Sequence, residues 1–485
     1  MRVHRRANLY LLALPVGLMG LVQLVFALLS LALFEDGVME DFLFSSLPML
    51  GVAVWMLSSR SDWRDHPIGL RDSLVFAVMT WVIMGLLGAI PVMEITGVSF
   101  TDAVFESVSA LTTTGATILD NLDSRPKAFL MYRQFLQWLG GLGVVIFVVA
   151  ILPMLNTGGM KLLKAETPGP IKDDKLSPRI SSSAHYLFIV YMVLTFTCAV
   201  GYFLAGMDLF DALGHSFSTV STGGFSTHDA SIGYFKSDAV LWVANLFMLL
   251  GAISFAVHFR AMSGRSLKIY WRDEESRVFL LTVLFISLLI TSELLEAGIY
   301  HHPWDAFQMA MFHMISFVTS TGFGAADFTH WPAFVALTLV ISGYLGGCSG
   351  STAGGNKFIR NILSLKLIAL EIKRIMHPRG VFILKYQGKS LQVSVLSSTI
   401  MFMALVATST VVLTLILMGT GLSFWGALSA VAACLNVLGP AFGELGSNFQ
   451  PVTDFGTWVL SFAMILGRLE YFTVLTLFLP VFWRF

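Results

Sequence analysis

Apolar runs of about 20 residues recur along the whole chain, each long enough to cross the hydrocarbon core of a bilayer as a helix. Two runs come first, at residues 9–33 and 42–57. After them a fixed order repeats four times: an apolar run, a short amphipathic piece, a loop of hydroxyl residues and glycine, then a second apolar run. A recurring order of this kind decides the fold. It predicts an all-α polytopic membrane protein with about ten transmembrane helices. Four pseudo-repeated helix–pore-loop–helix units surround a central pore, and two extra helices precede them. The expected divisions are 1–70 for the N-terminal pair, 71–160 for unit one, 161–264 for unit two with its preceding linker, 265–385 for unit three and 386–485 for unit four. The amphipathic pieces, such as residues 102–111, are too short to span and must enter and return on one side.

The four loops align by spacing. They read TDAVFESVSALTTTGA at 101–116, DALGHSFSTVSTGGF at 211–225, a third ending FVTSTGFG at 317–324, and the divergent GALSAVAACLNVLGP at 426–440. Asp102 to Gly115, Asp211 to Gly224 and Gly426 to Gly439 are each 13 residues. Glu106, His215 and His313 each stand nine residues before Gly115, Gly224 and Gly322. These spacings select Gly115, Gly224, Gly322 and Gly439, with Gly223 and Gly324 as alternatives. Asp305 falls one helical turn too early for the pattern, so the short helix of unit three should begin earlier than the others.

Such loops suit an alkali cation. Inside a membrane its hydration shell must be replaced by oxygens, and rings of backbone carbonyls do this without fixed charge. Aiming successive carbonyls one way needs backbone shapes that a Cβ opposes and glycine permits. Thr113, Thr114, Ser221, Thr222, Ser320 and Thr321 can support or extend the ring. The candidate ion ligands are Thr114, Gly115, Thr222, Gly223, Gly224, Thr321, Gly322, Leu438 and Gly439. No Asp or Glu stands beside the four glycines, which argues against a filter for divalent cations. One such loop alone would read equally well as a helix-ending turn; four at equivalent places favour a pore. Glu106, His215 and His313 read as packing or support groups of the short helices rather than proton carriers. Trp138, Trp242, Trp425 and Trp458 read as interfacial anchors.

Composition agrees. The chain is 56% hydrophobic and 12% charged, where a soluble domain carries about 25% charged residues. Net charge is zero and says nothing of nucleic acid, which is not an expected partner; the distribution of basic residues is informative. The linkers between apolar runs, with the N-terminal arginines and Arg484, hold 25 of the 30. Arg125, Lys127, Arg133 and Lys236 fall on the pore-loop side, and Arg468 inside a span. The positive-inside rule then makes both termini and the linkers cytoplasmic and the pore loops external. The linkers read as topology signals or as a docking face. The first run, after Arg2, Arg5 and Arg6, is longer than a signal sequence and reads as a retained span. Cys198, Cys348 and Cys434 suggest neither disulfides nor a zinc site. No metalloprotease helix, nucleophile elbow or dinucleotide fingerprint occurs, so an enzyme is not expected.

The second apolar run of unit three is interrupted at 345–356. Gly346, Gly347, Gly350, Gly354 and Gly355 cannot hold a helix there, since each costs about 1 kcal/mol relative to Ala. Unpaired backbone at membrane depth must face protein or a water-filled cavity. A flexible kink is one reading. A phosphate-binding loop is another, but the Gly-Lys-Ser/Thr ending is replaced by Asn356-Lys357-Phe358. A guanidinium inside a span costs about 2.5–3.5 kcal/mol unless it finds a cavity or partner. Arg468 is therefore expected to face the pore below the filter, near this loop and its carbonyls; pairing with Glu470 is the alternative.

On these residues the chain resembles the Trk/Ktr/HKT superfamily of potassium transporters, most closely its bacterial Trk branch. The resemblance covers nearly the whole chain. It rests on the two extra N-terminal helices, the first three loops and GYLGGCSGSTAGGNK at 343–357. It implies a channel-like potassium filter with one selectivity glycine per unit, and an intramembrane gate formed by Gly346, Gly347, Gly350, Gly354 and Gly355 with Arg468. Gly115 stands where some sodium-transporting plant relatives carry serine. The fourth loop departs from the pattern, with Leu438-Gly439-Pro440 lacking hydroxyls. The resemblance further implies potassium uptake across a bacterial inner membrane, a homodimer within membrane lipid, and a cytosolic TrkA-like nucleotide-binding ring. No cofactor is expected in this chain, so ATP or NAD would act only through that partner. A proton- or sodium-coupled symporter using Glu106 or Glu470 is the alternative.

Overall fold

The computed structural model describes residues 5–58, 70–151, 180–391 and 393–483. The basic linker residues Arg60, Arg64, Lys161, Lys164, Lys172, Lys175 and Arg179, with Arg2 and Arg484, lie outside that set. The described chain is helical apart from one small hairpin, Lys385–Tyr386 paired with Lys389–Ser390.

Six helices among the described residues are long and apolar enough to cross a membrane. They comprise the N-terminal pair, α1 (Arg5–Leu29, continued by a π turn at Ser30–Phe34) and α2 (Met39–Ser58), and the first helix of each unit. Those first helices are α3 (Leu70–Thr96), α6 (Ile180–Leu204), α11 (Glu274–Glu296) and α15 (Val393–Met418). Their outward residues are large and apolar: Phe196 is 70% exposed and Leu415 62%. A soluble protein rarely shows so much contiguous apolar surface, and lipid is its natural solvent.

The second helix of every unit is broken, which refines the expected count of about ten crossings. α5 (Lys127–Ile151) breaks at Gly143, with φ 72 and ψ 160. α8 (Asp238–Ala252) and α9 (Phe255–Gly264) meet at 101°. α10 (Lys268–Arg272) is a single turn leading into α11. α13 (Ala333–Leu345) and α14 (Phe358–Met376) are separated by the glycine-rich loop. α17 (Asp454–Leu469) and α18 (Tyr471–Thr476) are separated by Glu470, φ 65 and ψ 139. Hydropathy counts apolar residues but does not register a single residue in a non-helical conformation. Only the unit-three break is glycine-rich enough to show in the pattern.

Between the two helices of each unit sits a short helix aimed inward. α4 (Phe100–Leu111), α7 (Leu209–Val220) and α16 (Phe424–Leu435) have 12 residues each. α12 (Pro303–Val318) has 16, and Asp305 lies in its extra first turn. Ser99, Asp208 and Ser423 cap the first three by accepting from the N–H three residues on. The caps satisfy donors that the helix start leaves unpaired.

Two apolar clusters hold the bundle, one joining the N-terminal pair with units one and four, the other joining units two and three. Gln23 of α1 supplies polar glue: it donates to Leu87 O at 3.1 Å and accepts from Ser45 at 2.7 Å. Such bonds position helices where lipid offers no hydrophobic drive between them. Trp138 is also interior glue, not a headgroup anchor: it bonds Thr195 at 3.1 Å and packs on Tyr191 and Phe217.

Candidate permeation pathway

Each short helix ends in the same backbone path. The N–H of Thr114, Gly223, Thr321 and Leu438 donates to the carbonyl five residues earlier, at 2.7–2.9 Å. Thr113, Thr222, Ser320 and Val437 are left-handed, with φ between 55 and 58. Gly115, Gly224, Gly322 and Gly439 are left-handed again, with φ 79, 78, 82 and 96. The residue between them is not. Alternating hand along a short segment turns successive carbonyls toward one side, the requirement for a carbonyl-lined filter. Unit four follows the path although Val437 and Leu438 replace the hydroxyl residues.

The four segments close on one another. A Cβ built on Gly115 would stand 2.2 Å from Gly223 O, and one on Gly224 1.8 Å from Thr321 O. One on Gly322 would stand 2.2 Å from Leu438 O, and one on Gly439 2.6 Å from Thr114 O. Each glycine thus abuts the next unit's carbonyl, in the order one, two, three, four and back to one. Gly223 belongs to this ring as the counterpart of Thr114; Thr222 is the counterpart of Thr113, one place further in. Gly324 lies outside the ring and donates to Ser231 at 3.2 Å. The C-terminal ends of the short helices point at the ring, and their partial negative charge favours a cation there.

In the first three units the residue nine before the ring glycine braces the segment that leaves the ring. In unit one, Glu106 accepts from Thr117 Oγ1 at 3.0 Å and Ile118 N at 3.2 Å. In unit two, His215 Nδ1 donates to Asp211 O, so its Nε2 accepts from Ser226 at 2.9 Å. In unit three, His313 Nδ1 likewise donates to Met309 O, and Nε2 accepts from Ala325 N at 3.3 Å. In that tautomer both rings are neutral. Unit four has Ala430 there, and Ser429 takes over by accepting from Phe442 N at 3.0 Å. Beyond the ring a cavity of about 160 Å³ opens, lined by all four filter glycines together with Arg133 and His228.

His228 ties the outer loops of units one and two. It bonds Asp123, and Asp211 at 3.2 Å, and stacks on Tyr234 with ring centres 3.5 Å apart. Burial by itself would lower its pKa, but hydrogen bonds to Asp211 and Asp123 outweigh it and raise the pKa above its ordinary value.

Below the ring lies the loop 346–357. Thr352 Oγ1 donates to Val220 O at 3.0 Å and Gly251 O at 2.9 Å. Gly354 N donates to Ser320 Oγ at 2.6 Å, and Gly355 N to Asn436 O at 3.0 Å. Val220, Ser320 and Asn436 lie four, two and three residues before the left-handed glycines of units two, three and four. Arg468 supplies unit one: Nη1 donates to Thr352 O at 3.0 Å and Nη2 to Gly140 O at 2.7 Å. Gly346, Gly350 and Gly355 have φ of 69, 75 and 74. Gly347 and Gly354 are hemmed by backbone, with a built Cβ 3.0 Å from Ala252 O and 2.3 Å from Asn436 O respectively. Glu470 accepts from Arg360 Nη2 at 2.6 Å.

The family model described as TrkH, a cation transport protein, matches residues 48–484. The chain belongs to the TrkH family. It is 43% identical over 485 residues to a Trk system potassium uptake protein TrkH of Vibrio parahaemolyticus, covering 99% of each. It is 40% identical over 486 residues to the one of Escherichia coli, covering 99% of this chain and 100% of that one. Among solved structures, the potassium transporter TrkH from Vibrio parahaemolyticus superposes with a TM-score of 0.89 at 40% identity, over 99% of this chain and 100% of that one.

Several residues of this TrkH-family site escaped the sequence reading. Arg133 fell there on the pore-loop side with no role assigned; it is 1% exposed, inside α5. Its Nε donates to Glu106 at 2.9 Å and its guanidinium lies 4.1 Å over the Phe225 ring of unit two. Gln137 of the same helix donates to Gly223 O at 2.6 Å and accepts from Phe225 N at 3.1 Å. Gln134 donates to Phe225 O at 3.2 Å. Three strongly polar residues within one apolar run are a readable sign of an interior function. Glu275 was also missed: its Oε1 accepts from Ser349 N at 2.8 Å and Ile359 N at 3.0 Å, stapling both ends of the loop. Nothing local marks it, because its partners are 74 and 84 residues away.

Proposed function

We propose that this chain mediates potassium uptake through a channel-like filter made by Thr114, Gly115, Thr222, Gly223, Gly224, Thr321, Gly322, Leu438 and Gly439. The supporting observation is the ring in which each filter glycine abuts the next unit's carbonyl. A ring of carbonyls with no fixed charge suits a desolvated alkali cation. The relatives' names specify potassium uptake. Gly346, Gly347, Gly350, Gly354 and Gly355 with Arg468 act as the gate: the loop bonds units two, three and four below the ring and reaches unit one through Arg468, whose positive charge stands in the cation's path. The four units are 71–160, 161–264, 265–385 and 386–485, with 1–70 as a peripheral pair.

The pore loops face outward from a bacterial inner membrane, and both termini and the basic linkers face the cytoplasm, following the charge bias. The working assembly is a homodimer controlled by a cytosolic TrkA-like nucleotide-binding ring, so ATP or NAD acts through that partner. A symporter would need a buried acid free to exchange its ion. Glu106 and Glu470, its candidates, are both engaged by arginines, which favours the channel reading. In proteoliposomes, potassium flux should follow the potassium electrochemical gradient alone. A proton or sodium current stoichiometric with potassium flux overturns this reading.

A further inference from the structure

A second cavity, of about 360 Å³, lies at the corner where α9, α10 and α11 meet the hairpin. Arg260, Arg272, Arg277, Asp273, Glu274 and Gln387 line it. The carboxylates are committed to the protein. Asp273 caps α11 through Ser276 N at 2.9 Å and accepts from Gln387 Nε2 at 3.0 Å. Glu274 accepts from Gln387 N at 3.1 Å and pairs with Lys366 of α14. Two of the three guanidiniums are not. Arg260 donates to Ala256 O and pairs with Asp273 at 3.9 Å. Among the described residues Arg272 and Arg277 make no hydrogen bond or close ion pair, although Arg277 lends its field to Glu274.

Three arginines line this one cavity, two of them without a close partner, and a guanidinium offers the fork geometry that phosphate oxygens accept. The location selects the source of that phosphate. α11 turns outward-apolar at Leu281, 48% exposed, about one helical turn beyond Arg277. Leu267 and Trp271, 81% and 56% exposed, flank Arg272 on the other side. Arginines within one turn of a lipid-facing surface, with a tryptophan beside them, mark the headgroup layer.

We propose that this cavity binds the phosphate of an anionic phospholipid in the cytoplasmic leaflet and that its occupancy tunes the loop 346–357. The leaflet rests on the orientation proposed above; the site does not depend on what the pore carries. The link to the loop is short. Glu274, in the cavity wall, holds α14 through Lys366, and the next residue, Glu275, holds both ends of the loop. A headgroup seated against Glu274 therefore acts on the element that anchors the loop.

The test uses the delipidated full chain and native mass spectrometry with phosphatidylglycerol or phosphatidylcholine. Wild type should retain phosphatidylglycerol in preference, and Arg272→Gln with Arg277→Gln should weaken it by on the order of 10- to 30-fold. Arg265→Gln, an exposed arginine outside the cavity, should leave it unchanged. Equal binding by wild type and the double variant overturns the site. Displacement by millimolar inorganic phosphate alone would assign the cavity to a free anion and overturn the lipid. In vesicles, rubidium flux by wild type should change on adding phosphatidylglycerol while the double variant's stays constant; the same response in both overturns the coupling. Binding is read without transport, so its failure is separate from any failure of the transport reading.

Discussion

Arg468 Nη1 donates to the Thr352 carbonyl at 3.0 Å, joining the last broken helix to the loop beneath the filter. Its other donor meets Gly140 O, so one guanidinium ties units one, three and four together. A charged hydrogen bond contributes about 1.5–3 kcal/mol. Arg468→Ala should therefore raise potassium flux by roughly tenfold or more, through loss of both the tether and the positive charge. Reduced flux from a protein that remains folded and monodisperse contradicts the barrier role.

Gly115 combines φ 79 with a neighbour's carbonyl 2.2 Å from where a Cβ would stand. Gly115→Ser must push Gly223 outward or twist its own segment, which widens one quarter of the ring. The expected result is a higher sodium-to-potassium permeability ratio in reversal-potential measurements. An unchanged ratio removes this glycine from the filter.

Glu106 and Arg133 are buried partners, 0% and 1% exposed. Removing one leaves an uncompensated charge, at a cost of about 3–5 kcal/mol. Arg133→Met should lower the unfolding temperature in detergent strongly, and adding Glu106→Gln should restore much of the loss. The double variant should still show altered selectivity, because Thr117 and Ile118 lose their ionised acceptor. Additive single-variant losses would show that the pair is not coupled.

Glu275 Oε1 accepts from both Ser349 N and Ile359 N. Glu275→Gln keeps a carbonyl acceptor there, whereas Glu275→Ala removes it. Flux should rise clearly for Ala and only slightly for Gln. Equal behaviour of the two would mean that charge, not the staple, is what matters.

The His228 clamp carries a pH dependence. Its folded pKa is raised, so its stabilisation is complete below the ordinary value of 6.5 and lost as pH rises through the folded pKa above it. Asp123 acts oppositely. Burial pushes its pKa up, yet the hydrogen bonds to His228 and Asp229 more than offset this and lower it. Its contribution is present above 3.8 and lost as pH falls through the lower folded value. Thermal stability should decline on the alkaline side in wild type, and His228→Asn should flatten that decline. An identical pH profile in both would show that the clamp does not titrate as described.

Much of the glycine ring was legible because its cause is local. A left-handed residue beside a neighbour's backbone requires glycine, and four glycines at equal distance from a polar mark record that need in the sequence. The apolar runs, the short capped helices and the extra turn of unit three were readable for the same reason, since length, capping and periodicity act within one segment. The role of Arg133 was not legible because counting charges assigns a basic residue to one side of the membrane without naming its partner. That partner, Glu106, is 27 residues away and on another helix.

The sequence by itself determined a membrane protein of four repeated units, the left-handed glycine that follows each short helix and the interrupted helix of unit three. Only the tertiary structure decided which unit abuts which, that the second helix of each unit breaks, that Arg468 grips Thr352, and that Glu275 staples the loop. These are pairings across long separations, made by side chains whose own neighbourhoods look ordinary. A chain records locally what its backbone must do, whereas the partner of a buried charge is fixed only when the helices pack.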